Sequence, residues 1–161
     1  MLAGAGVTAT LPDGSSIDAL SDALGTFTLA GLAPGAGHVD AALDHTRGAP
    51  PLTAVDALDI LRMAVGLTPS FGAPGPMDFI AADVNQDGRI TALDALEVLR
   101  AAVGLESATG PQWVFVDSRT DLPGMTRDTV TYDTGLNLAT HPAETPLDMT
   151  AILLGNMTDP M

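Results

Sequence analysis

Apolar residues recur at helical spacing in two stretches of the chain and alternate with polar residues in several others. Val55, Leu58, Leu61 and Val65 form one stripe, and Leu93, Leu96, Leu99 and Val103 form a second. The spacing predicts helices over Thr53–Val65 and Thr91–Val103, each closed by a glycine, Gly66 or Gly104, just past its end. Stripes of this kind are usually core, and core is the expectation here. Phe79–Ala82 reads as a short helical lead-in, and Leu67–Pro76 as a proline- and glycine-rich connector. Strand patterns flank the helices. Gly6–Leu11, Ser16–Ser21, Thr26–Leu29 and His38–Ala42 precede them, separated by turns at Pro12–Ser16 and Gly31–Gly35. Trp113–Val116, Thr129–Tyr132 and Leu147–Leu154 follow, the last with a continuous apolar run that suits a central strand.

Between the two helical stretches lies Asp83-Val-Asn-Gln-Asp-Gly-Arg-Ile-Thr-Ala-Leu-Asp94. Oxygen side chains fall at positions 1, 3, 5, 9 and 12 and a glycine at position 6, the ligand spacing of an EF-hand calcium loop with Asp where Glu is usual. Calcium is a hard cation that takes 6–8 oxygens. Asp83, Asn85 and Asp87 would ligate by side chain and Arg89 by its backbone carbonyl. Thr91 would act directly or through water, and Asp94 from the start of the next helix. Gly88 is required because the chain turns there with a positive φ that a Cβ disfavours.

The helices are a duplication: Thr53–Leu67 and Thr91–Leu105 agree at 11 of 15 positions with an offset of 38. Tandem loops, each followed by one such helix and a closing glycine, resemble the dockerin type I family over residues 43–106. The first half departs from the pattern. His45, Arg47, Ala49 and Pro50 stand where the second half has Asp83, Asn85, Asp87 and Gly88. Only Thr53 and Asp56 persist, and Thr-x-x-Asp at a helix start reads as a capping box. One calcium site is therefore expected. Whether the degenerate first loop, about Asp44 to Asp56, takes any metal is left open, and His45 reads as a solvated loop residue. The resemblance implies a cohesin-like protein partner, met through Ala54 and Val55 or Ala92 and Leu93, with Arg62 and Arg100 further along each helix. An opposing expectation is that the same apolar positions pack within the chain, calcium merely locking the fold.

Ser21-Asp-Ala-Leu-Gly-Thr-Phe-Thr-Leu-Ala-Gly-Leu-Ala-Pro-Gly35 resembles the carboxypeptidase regulatory-like sandwich family over residues 1–42. The resemblance implies that Phe27 and Leu29 face a core and that Pro34 shapes a hairpin. It also implies a strand ahead of Leu2–Ala5 that is not present, so an edge is left for Thr129–Tyr132, Leu147–Leu154 or another subunit's strand to fill. The expected fold class is α+β: a mainly antiparallel β-sandwich, Ig-like, with a dockerin-like helical pair inserted. Residues 1–43 would begin the sandwich, 44–106 form the calcium-binding module and 107–161 complete the sheets.

Composition narrows the chemistry. Cysteine and lysine are absent, which removes disulfides, thiol catalysis, Schiff bases and isopeptide bonds. The net charge of −14 repels nucleic acid and anionic membranes, and no stretch approaches the length of a membrane span. His38, His45 and His141 stand apart, without partners of zinc-site spacing. There is no Walker loop and no Gly-x-Ser-x-Gly, and Trp113 and Tyr132 offer no aromatic platform for a sugar. No catalytic residue is assigned. An acidic, cysteine-free chain with a calcium loop suits a bacterial extracellular or cell-surface setting. Met1–Ala5 lacks the features of a signal peptide, so a removed signal or a piece of a longer secreted protein is expected. The function expected is a noncatalytic module for assembly or attachment. The alternatives are an appendage of a secreted polysaccharide-degrading enzyme and a strand-exchanging filament subunit.

Overall fold

A computed structural model describes residues 2–32, 35, 37–45, 51–109, 111–122, 124–142 and 145–158. Pro34, Arg47, Ala49 and Pro50 lie outside the described residues. The chain is α+β, with three helices and antiparallel sheets, and its contacts divide into two units. One comprises Met1–Asp44, Val114–Thr120 and Asp133–Ala151; the other comprises His45–Trp113, Asp121–Tyr132 and Ile152–Met161. Residues 107–161 are thus shared between the units.

In the first unit, alternation along β1 (Gly6–Thr10) buries Val7 and Ala9. β1 pairs antiparallel with β2 (Ser16–Leu20) on one side and with β3 (His38–Ala42) on the other, Val7 lying opposite Ala19 and Ala41. The short β5 (Leu136–Asn137) adds to β3 through Val39 and Leu136, giving the order β2-β1-β3-β5. Val7, Ala9, Val39 and Leu136 form the buried centre, with Ile17, Phe27, Leu29, Leu138, Leu147 and Met149 packed around it. Phe27 and Leu29 face the core as expected, but Thr26–Leu29 is not a strand. That segment leaves a turn in which Asp22 accepts from the N–H groups of Leu24 and Thr26, so its backbone is committed locally. A two-stranded sheet joins β4 (Trp113–Asp117) and β6 (Met149–Leu153). It is β5, and neither Thr129–Tyr132 nor β6, that extends the four-stranded sheet.

The second unit is built on the duplicated helices α1 (Ala54–Ala64) and α3 (Ala92–Ala102), which pack against each other, and on α2 (Pro76–Ala82) between them in sequence. Each long helix starts with a capping box: Thr53 with Asp56, as read from the sequence, and Thr91 with Asp94, which the sequence offered as metal ligands. Each ends alike. Gly66 (φ +78°) and Gly104 (φ +73°) turn the chain left-handed, and the N–H groups of Leu67 and Leu105 reach back to the carbonyls of Arg62 and Arg100. The acid about one turn past each capping aspartate ties down its following connector. Asp59 accepts from the Ser70 N–H at 2.7 Å and its hydroxyl at 2.6 Å. Glu97 accepts from the Ala108 N–H at 2.7 Å and from the Ser107 hydroxyl. The Ser107 hydroxyl, above all, holds the Glu97 carboxyl below the usual carboxylate range.

The stripes of Val55, Leu58, Leu61 and Val65 and of Leu93, Leu96, Leu99 and Val103 are not core. All eight are exposed, Leu58 at 51% and Leu96 at 42%. The buried faces carry Asp56, Ala57, Asp59, Ile60 and Met63 in α1 and Asp94, Ala95 and Val98 in α3. The expectation reversed the helices because aspartates are ordinarily placed in solvent. Here Asp56, Asp59 and Asp94 are hydrogen-bonded to capping or connector groups, which offsets the cost of burying them. Thr129–Tyr132 is likewise not a strand. Thr126 and Thr129 close a tight turn on each other instead.

Candidate metal centre and docking face

The loop Asp83–Asp94 runs from the end of α2 to the first turn of α3. Gln86 (φ 56°) and Gly88 (φ 83°) both take left-handed conformations, which lets the loop curl round its first residue. Asp83 is 1% exposed. Its Oδ1 accepts from the Asp87 N–H at 3.1 Å and its Oδ2 from the Gly88 N–H at 3.0 Å. The Asn85 side-chain oxygen accepts from the Asp87 N–H at 3.0 Å, and Asp87 Oδ1 from the Arg89 N–H at 2.9 Å. Asp94 is fully buried. Its Oδ2 accepts from the Thr91 N–H and hydroxyl, and its Oδ1 turns to the Asn85 N–H at 3.2 Å across the loop. The Thr91 hydroxyl is thereby engaged in the helix cap, also accepting from the Leu93 N–H.

The charges of Asp94 and Asp87 both act on Asp83. Among the described residues no ion pair reaches Asp83, Asp87 or Asp94. Burial, with the charges of Asp94 and Asp87 adding to it, pushes Asp83 up to about 6 against the bonds from Gly88 and Asp87. The oxygens of Asp83, Asn85, Asp87 and Asp94 are the hard donors that a divalent cation such as calcium takes, so the residues fit calcium by their chemistry. Among the described residues no three His, Cys, Asp or Glu side chains are grouped as a preassembled metal cluster. The loop's donors are mixed, and in this conformation their oxygens are turned to its own N–H groups.

Residues from far along the chain brace the loop. The Val130 N–H donates to the Gly88 carbonyl at 2.8 Å, and the Ile90 N–H to the Arg127 carbonyl at 2.7 Å. These bonds fix Arg89, whose carbonyl is the candidate ligand, on both sides. Arg127 also donates through Nη1 to the Ala64 carbonyl at the end of α1. Burial and the neighbouring Asp83 charge push Tyr132 up to about 12. Nothing in the local sequence marks Arg127, Val130 or Tyr132 as partners of a loop some forty residues earlier, because backbone pairing leaves little side-chain signature.

The first repeat has a different surround. Asp56, 2% exposed, uses Oδ2 for the Thr53 N–H (2.8 Å) and hydroxyl (2.6 Å), as Asp94 does for Thr91. Its Oδ1 accepts from the Met157 N–H at 2.8 Å and the Thr158 hydroxyl at 3.2 Å.

The class defined by these features is a helical module with a duplicated, exposed apolar face. Residues 53–101 match the family model of the dockerin type I domain. Domains of that family are noncatalytic, bind calcium and assemble proteins by holding cohesins. Neither the curated proteins nor the solved structures include a match to this chain. No helix among the described residues is long and apolar enough to cross a membrane.

Proposed function

We propose that this chain is a noncatalytic docking module. A calcium ion, held by Asp83, Asn85, Asp87, the Arg89 carbonyl and Asp94, with Thr91 acting through water, steadies the helical unit. The exposed faces of α1 and α3 then bind a cohesin-like protein. The single observation that carries the reading is the exposure of the duplicated Val/Leu stripes while the opposite helix faces are buried. Contiguous exposed apolar surface of this kind marks an interaction site. The net charge of −14 disfavours a second copy as the occupant and favours a partner whose rim is neutral or basic. Calcium dependence and the family's usual setting support a secreted or cell-surface location on a bacterial protein. The chain itself needs no catalytic group for this role.

The test is titration of a type I cohesin into the calcium-loaded chain and into a Leu58→Asp/Leu96→Asp variant. Both substituted side chains are exposed, so the variant retains its helical spectrum. Binding by the parent and at least tenfold weaker binding by the variant is expected; one such loss corresponds to about 1.4 kcal/mol. Equal binding by a folded variant contradicts the assignment of the face.

A further inference from the structure

We infer that the segment Ile152–Thr158 takes the place of a metal ion in the first repeat. On this inference α1 keeps its docking face without calcium, whereas α3 depends on it. The inference rests on the docking reading above and adds its regulation.

The duplication supplies the comparison. Asp56 and Asp94 are equivalent residues at the same helix position, each with Oδ2 committed to the threonine of its own capping box. They differ at Oδ1. That of Asp94 faces the loop in which Asp83 and Asp87 bring further negative charge. That of Asp56 faces two hydrogen-bond donors of the chain itself, the Met157 N–H and the Thr158 hydroxyl. Four donors on two oxygens leave Asp56 satisfied in a buried site with no ion needed.

The segment that delivers these donors is packed to stay. Ile152, Leu153, Leu154 and Met157 are all 2% exposed or less. The Gly155 N–H donates to the Ala81 carbonyl at 2.7 Å, and the Leu154 N–H to the Gln112 carbonyl at 2.9 Å. Gly155 has φ +89°, and a Cβ there would stand 2.7 Å from Val98 and 3.0 Å from Leu52. Only glycine allows the segment to pass that closely between the elements it joins. Arg127 completes the hold on α1 by donating to the Ala64 carbonyl at its far end. Both ends of α1 are thus secured by protein groups. The start of α3 is secured by its own capping box and by a loop that Arg127 and Val130 brace, and among the described residues no ion pair reaches that loop's carboxylates.

Amide hydrogen exchange on the full chain, with calcium and with a chelator, tests this directly. Chelation is expected to speed exchange of the first turns of α3 and of residues 83–94 by roughly tenfold or more, and to leave α1 within about twofold. Gly155→Val should loosen α1 in both conditions, and the milder Thr158→Val should do so to a smaller extent, while calcium stoichiometry stays at one. If chelation loosens α1 as much as α3, or if α1 is unmoved by both substitutions, the inference is overturned. Should Gly155→Val fail to fold, Thr158→Val and the parent protein still decide it. The readout does not involve a partner, so loss of cohesin binding alone refutes the docking reading and leaves the role of Ile152–Thr158 standing.

Discussion

Asp56 and Asp94 hold the same position in the repeated helix, and their surroundings give them different partners. The same applies along the loop, where Asp83 is the most perturbed carboxyl. Its ordinary value of 3.8 is raised to about 6 in the fold, by burial first and by Asp94 and Asp87 in addition. A raised carboxyl favours the protonated folded state. In the chelated chain its contribution to stability is therefore fully present below pH 3.8 and is lost as pH rises through about 6. Asp83→Asn removes the charge at every pH. With chelator, the variant is expected to be more stable than the parent at pH 7, the gap closing as pH falls toward 4; melts across that range check it. With calcium at pH 7 the order should reverse, because the variant has lost a ligand. A variant no more stable than the parent in chelator at pH 7 contradicts the electrostatic account of the loop.

The two long helices show what sequence reveals at the scale of an element. Their limits follow from local chemistry, and Thr53, Asp56 and Gly66 in one and Thr91, Asp94 and Gly104 in the other mark the ends found in the structure. The turn at Gly88 was legible for the same reason, since the need for a positive φ there is local. Which face is buried was not legible. In α1 apolar residues lie on both sides, and the face that holds Ile60 and Met63 also holds two aspartates. Only the bonds from Met157, Thr158 and Ser70, distant in sequence, show that those acids are inside. A pair of truncations separates the faces. Ile60→Ala, at a wholly buried position, should cost about 2–5 kcal/mol. Leu58→Ala, on the exposed stripe, should change stability by no more than about 0.5 kcal/mol. Denaturant melts that rank them the other way would restore the stripe to the core and remove the docking face.

For the whole molecule, the net charge of −14 means that the folded state gathers negative charge without any lysine to relieve it. Calcium bound to the native loop alone stabilises by mass action, about 2.7 kcal/mol at one hundred times its dissociation constant. A chelator should lower the unfolding midpoint of the helical unit accordingly; an unchanged midpoint means that the loop plays no part in stability. The division of the chain into two units was less visible in sequence than the helices. Thr129–Tyr132 and Ile152–Leu154 carry β-prone patterns, yet they group with the helical unit, where backbone bonds from Val130 to Gly88 and from Leu154 to Gln112 hold them. The central claim is that one repeat holds a metal and the other is closed by protein groups. Isothermal titration of calcium into the metal-free chain tests it most directly. One site of about micromolar or weaker affinity is expected, abolished by Asp87→Ala and nearly intact in Asp56→Ala. Two equivalent sites, or none, would contradict it.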